Sequence, residues 1–235
     1  MQDAFISTLQ RGVASVYLSH AMEGARLERT APEERAIEVE RPLTPKARAL
    51  LHEWVASESL RKHCEAVSAC LRHVARRDGE DEDLWGAVGL LHDMDFEKHP
   101  NLELAPDGHP FVGVAHLRDS GWGQTVCRAI LSHADYSGVE PESALEKTLC
   151  AVDELSGFVI AVALVRPDKS IHNVEVKSVR KKMKDKAFAA KVSREDIFRG
   201  AERLGVPLEE LIAEVIVALR AESDRLGVTG TPVTS

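Results

Sequence analysis

Apolar residues recur at helical spacing along most of this chain, and no segment sustains the two-residue alternation of a half-buried strand, so the pattern predicts an all-α fold. Phe5, Leu9, Val13 and Val16 predict an opening helix within residues 1–22, followed by a charged, weakly periodic linker to residue 42. Thr44 before Pro45 reads as an N-cap with proline at the first helical position, opening a helix to about Val55. The next helix aligns Leu60, Cys64, Val67, Cys70, Leu71 and Val74, and His63 falls on the same face. Asp81 to Asp83 suit the N-terminus of a helix whose stripe, Leu84, Val88 and Leu91, runs up to His92.

Further on, Pro110 reads as the first residue of a helix that stops at Gly121, which puts His109 at a helix mouth. Val126, Ala129, Ile130 and His133 share one stripe, so His133 faces inward. Ser143 and Glu146 form a capping box, and the apolar face that follows, Leu145, Leu149 and Val152, is shared by Asp153 and Ser156. A carboxylate on such a face is costly unless something neutralises it. A basic helix over 178–190, a helix from Ser193 and an amphipathic helix from Pro207 to Leu226 complete the prediction, with a disordered tail at 227–235. The expected organisation is an N-terminal helix and linker (1–42), a main helical domain (43–200), a C-terminal helix packed on it (201–226) and the tail.

Composition narrows the classes. With 44% hydrophobic and 29% charged residues, and no apolar stretch approaching the roughly 20 residues of a membrane span, the chain reads as globular. An acid at residue 3 and the lack of a cationic start followed by an apolar core argue against a secretory signal, so a cytoplasmic location is expected. Cys64, Cys70, Cys127 and Cys150 lie in apolar segments without a CxxC pair, as small buried hydrophobes do. A net charge of −8 argues against general nucleic-acid binding. Residues 175–191 run against that balance, with seven Lys or Arg and two acids, and Lys177, Arg180, Lys181 and Lys184 share a face if the segment is helical. They are the candidate contacts for an anionic substrate.

The inward or mouth positions deliver His63, His92, Asp93, His109, His133 and Asp153, imidazoles and carboxylates with no cationic side chain among them. Such a set suits zinc, iron or manganese, and Asp93 is placed to bridge two ions. The order His63, then His92-Asp93, then Asp153 on a later helix resembles the H…HD…D signature of the HD superfamily, helical metal-dependent phosphohydrolases. The contexts "SLRKH", "LLHDMDFEKHP", "LSHADYSG" and "LEKTLCAVDELSGF" are similar to those of bacterial HD-domain proteins across residues 43–200.

This resemblance implies an HD-domain, phosphodiesterase-like helical bundle with the N-terminal helix appended, and His63, His92, Asp93 and Asp153 as ligands of one metal. His109 and His133 extend the pattern to the H…HD…H…H…D order of binuclear members. Those include cyclic-dinucleotide phosphodiesterases of the HD-GYP group and mixed-valent diiron oxygenases such as myo-inositol oxygenase. The chain departs from HD-GYP in having Ala134 after His133 and no GYP motif. One or two divalent ions (Fe, Mn, Zn, Ni or Mg) and catalysis centred on Asp93 are expected, with a nucleotide or small phosphorylated metabolite as substrate. A diiron oxygenase and a metal-stabilised regulatory module without turnover are the alternatives. The N-terminal helix leaves a homodimer open.

Overall fold

The computed structural model describes residues 36–103 and 105–230; the expected N-terminal helix, most of its linker and residues 231–235 lie outside them. Among the described residues there are ten α-helices, two short 3-10 turns and no strand, as the periodicity predicts. None of these helices is long and apolar enough to cross a membrane.

The first helix, α1 (Leu43–Trp54), starts one residue before Thr44, and its cap comes from elsewhere. Asp83 accepts hydrogen bonds from the Leu43 and Thr44 amides at 2.7 and 2.9 Å, while the Thr44 hydroxyl donates to the Asp83 carbonyl. Thr44 is therefore not the N-cap; a carboxylate distant in sequence satisfies the first-turn donors instead. Helix α2 (Glu58–Asp78) is capped by Ser57 and ends at Gly79, whose φ of +76° suits a residue without a side chain. Helix α3 (Glu82–Leu91) starts at Asp81, which accepts from the Leu84 amide, and ends at His92. Two shorter helices follow, α4 (Phe111–Asp119) and α5 (Gly123–His133).

The long helix α6 (Ala144–Leu164) opens with the expected capping box of Ser143 and Glu146. It packs against α2, α5 and three later helices, so its residues Leu149, Leu155, Phe158 and Val159 are wholly buried at the centre. Those later helices are α7 (Val176–Met183), α8 (Arg194–Leu204) and α9 (Leu208–Ala221), and α10 (Ser223–Leu226) closes the series.

Three expectations change here. The basic helix stops at Met183, not residue 190, and the chain beyond it forms turns laid over Phe158 by Phe188, whose ring stands edge-on at 5.4 Å. Arg194 holds this loop by donating to the carbonyls of Asp185, Phe188, Ala189 and Val192. The helix from Pro207 breaks at Glu222, whose carboxylate pairs with Arg72 and Arg225, and the following turn of helix packs on α2. The tail is ordered at its start: Val228 is buried and its carbonyl accepts the Ile171 amide at 2.8 Å.

Candidate metal centre

Five separate segments deliver the six expected ligands to one place. His63 projects from α2, His92 and Asp93 follow α3, His109 precedes α4, His133 ends α5, and Asp153 lies on α6. Helices α2 and α3 touch backbone to backbone: a Cβ on Gly89 would stand 2.5 Å from the Ser68 Cα. That contact brings the His63 and His92 Nε2 atoms to 3.2 Å. The six residues sort into two triads, His63, His92 and Asp153, and Asp93, His109 and His133, each with its ligand atoms within 4.8 Å of one another.

The protons of three of these rings are already committed. His92 Nδ1 lies 2.9 Å from the Gly89 carbonyl, and His133 Nδ1 lies against the Ile130 carbonyl, so both nitrogens must be donors. His109 Nδ1 donates in the same way to Asp95 at 2.7 Å. In the neutral imidazole the remaining Nε2 is then a bare lone pair. His109 and His133 turn these lone pairs toward each other at 3.2 Å, with Asp93 Oδ1 at 3.3 and 3.5 Å. Three acceptors at such distances repel unless a cation stands among them. Donor atoms about 2.1 Å from one ion lie roughly 3.0 to 3.4 Å apart at octahedral and tetrahedral angles. The residues present thus fit a metal.

Asp93 faces both triads. While Oδ1 faces His109 and His133, Oδ2 faces His63 and His92 at 3.6 and 3.5 Å, and Asp153 Oδ1 completes that side at 3.0 and 3.4 Å. One carboxylate therefore joins the two candidate positions. Burial alone would pull the His92 pKa down, but the Asp93 and Asp153 charges outweigh it and raise the pKa to about 9. Asp153 is likewise held well below the usual carboxylate range, against the cost of its burial, by the charge of His92.

Supporting groups fix the ligands. Asp95 is buried, and its second oxygen accepts the Gly113 amide at 2.6 Å, so the His109 ring is locked to the start of α4. The Tyr136 hydroxyl donates to the His109 carbonyl at 2.9 Å. Glu97 faces away from the ligands and accepts the Ala56 and Ser57 amides at the start of α2. Glu154, beside Asp153, accepts the Ser193 amide at 3.0 Å, and its burial together with the Asp153 charge lifts its pKa to about 7.

A cavity of about 490 Å³ opens over the triads, lined by five of the six ligands while His92 stays behind them. Phe96, Leu102 and Tyr136 give it apolar surface, and Lys191, Arg199 and Arg203 stand on its walls beside the acids Asp135, Glu154 and Asp196. Of the basic segment 175–191 only Lys191 lines it, and none of the four expected contacts, Lys177, Arg180, Lys181 and Lys184, does. Lys177 is exposed and paired with Glu175 at 2.7 Å, Arg180 pairs with Glu209 at 2.9 Å, and Lys181 and Lys184 are exposed on or just past α7. The density of charge along α7 marks a solvated face. The helix expected from Ser193 is present as α8, but its part in the cavity was not foreseen; the signal for it was Gly200 inside an otherwise amphipathic helix. A Cβ there would stand 2.6 Å from the Ala151 Cα, so α8 lies directly against α6 and its Arg199 and Arg203 reach the cavity.

No solved structure matches the chain. Residues 60–157 match the HD domain family, a stretch that opens just before His63, closes just after Asp153 and encloses all six candidate ligands. Residues 60–157 are therefore an HD domain, and this stretch of the chain belongs to that family.

Proposed function

We propose that the chain hydrolyses a phosphoester of a nucleotide or another small phosphorylated metabolite at the Asp93-linked triads. The observation that carries this reading is the pairing, in one cavity, of five of the six candidate ligands at the base with Lys191, Arg199 and Arg203 on the walls. When bound, divalent ions at such ligands polarise a phosphoryl oxygen and lower the pKa of water toward neutrality.

The chain's own residues supply the rest. His63, His92 and Asp153 would hold one ion, and His109 with His133 a second, and Asp93 would offer one oxygen to each side. Asp95 keeps the His109 proton on Nδ1 and so leaves Nε2 free for the metal. Lys191, Arg199 and Arg203 offer donors that favour a phosphate group over a neutral substrate. Phe96 and Leu102 offer apolar surface for the remainder of the molecule.

Elemental analysis of protein purified without a metal-affinity step, combined with a screen of phosphomonoesters and phosphodiesters, tests the reading. Phosphate release that disappears in Asp93→Asn supports it. Two irons per chain with oxygen consumption and no phosphate release would replace it with the oxygenase reading. A metal-loaded chain inert toward every phosphoester and toward oxygen would replace it with a regulatory module.

A further inference from the structure

We infer that the cavity face of α8 is a second anion subsite, for a phosphate group that the substrate carries apart from the one presented to the triads, and that Asp135 fills this subsite as an internal counter-ion until the substrate arrives. Its assignment to a substrate rests on the phosphohydrolase reading.

Arg199 and Arg203 are four residues apart on α8 and share a face, and both line the cavity. Both reach the same carboxylate. Asp135 gives Oδ2 to Arg199 and Oδ1 to Arg203, the latter at 3.4 Å. Two guanidinium forks around one two-oxygen acid are the arrangement a phosphate group would meet, since phosphate matches the fork geometry of arginine at least as well as carboxylate does. Lys191 adds a third cation to the cavity wall and has no acid partner among the described residues.

Asp135 is suited to leave. It lies in the short 3-10 turn after α5, and its side chain is 49% exposed, so its ion pairs are worth little against water. It ligates nothing in either triad, although His133 stands only two residues before it. Of the other acids, Asp196 pairs with Arg199 within α8, and Glu140 meets Arg203 at 3.3 Å with a side chain that is 80% exposed. With Asp135 displaced, Arg199 and Arg203 would turn donors toward the cavity beside Lys191. A substrate with a single anionic group would satisfy the triads and leave these cations to Asp135; one with a second phosphate would take its place.

The test is calorimetric titration of inorganic phosphate into the full chain, once metal-loaded and once treated with chelator. In the chelated protein a phosphate site should persist. Asp135→Asn should tighten it about fivefold, the scale on which removing a surface ion-pair competitor acts. The double variant Arg199→Gln with Arg203→Gln should lose it at unchanged metal content. Equal or weaker phosphate binding by Asp135→Asn overturns the subsite, as does a double variant that still binds phosphate like the wild type. Should circular dichroism show the double variant unfolded, the Asp135→Asn arm decides alone. If phosphate binding follows these variants while no phosphoester is hydrolysed, the subsite stands and the proposed reaction falls. If phosphoesters are hydrolysed while phosphate binding is indifferent to both changes, the reaction stands and the subsite falls.

Discussion

His109 and His133 hold their Nε2 atoms 3.2 Å apart with both ring protons spent at Nδ1, on Asp95 and on the Ile130 carbonyl. This geometry is unfavourable without a cation and favourable with one. Removing either ring should therefore empty that position alone. His133→Ala is expected to lower the metal content by one ion per chain, and Asp93→Asn, which alters both positions, to lower the affinity of each. Elemental analysis after gel filtration reads both, and an unchanged stoichiometry in His133→Ala would return that ring to the core.

Asp95 touches no metal position, yet it sets the tautomer and orientation of His109 and anchors them to the Gly113 amide. Substitutions of such outer partners cost about 10- to 100-fold in metal affinity. Asp95→Asn should weaken binding at the His109 side on that scale, with the ions of the His63 side retained. A competition titration with a coloured chelator resolves the two; equal weakening at both would show that Asp95 acts on the fold as a whole.

Metal removal should make stability depend on pH in a defined sense. The His92 pKa of about 9 lies above its unfolded value of about 6.5. Its contribution is therefore fully present below pH 6.5 and is lost as the pH rises through 9. The Asp93 and Asp153 carboxylates are depressed, so theirs is present above about pH 3.9 and fades in stronger acid. Chelated protein is expected to lose Tm from pH 6.5 to 9, while in loaded protein the ion replaces the proton and the loss is smaller. Parallel melting curves for the two forms across that window would contradict this.

The closest helix contact in the site allows no side chain. Gly89→Ala would drive a Cβ to 2.5 Å from the Ser68 backbone and push α3 off α2. Overpacking of this kind costs about 1 to 3 kcal/mol. Urea unfolding should register that loss, accompanied by weaker metal binding because His63 and His92 separate. The surface-facing Gly79→Ala, which meets no neighbouring atom, is the control for backbone strain alone.

The helices and their inward faces were legible because each bears a periodic apolar stripe, and a ligand that shares the stripe shares its direction: His63 beside Cys64 and Val67, Asp153 beside Leu149 and Val152. The cap on α1 was not legible, since Asp83 is some forty positions away and only the fold brings it to Leu43. Nor was the cationic wall. A run of lysines raises the local charge of the sequence, but α7 turns that charge to solvent, whereas two arginines of ordinary context on α8 meet the cavity because Gly200 lets the helix approach α6. The pairing of Asp95 with His109 was not legible either, for it depends on the turn between α3 and α4.

The loop that Arg194 gathers, with its four carbonyls and the Ser193 amide on Glu154, brings Lys191 to the cavity without belonging to any helix that carries a ligand. The cavity thus combines a floor of candidate ligands and two arginines set by packed helices with one wall residue, Lys191, set by a loop that a single guanidinium clips in place. On the proposed function, changes between Asp185 and Lys191 would alter what the cavity admits at unchanged metal content, because that loop reaches the cavity through Lys191 and touches none of the six candidate ligands.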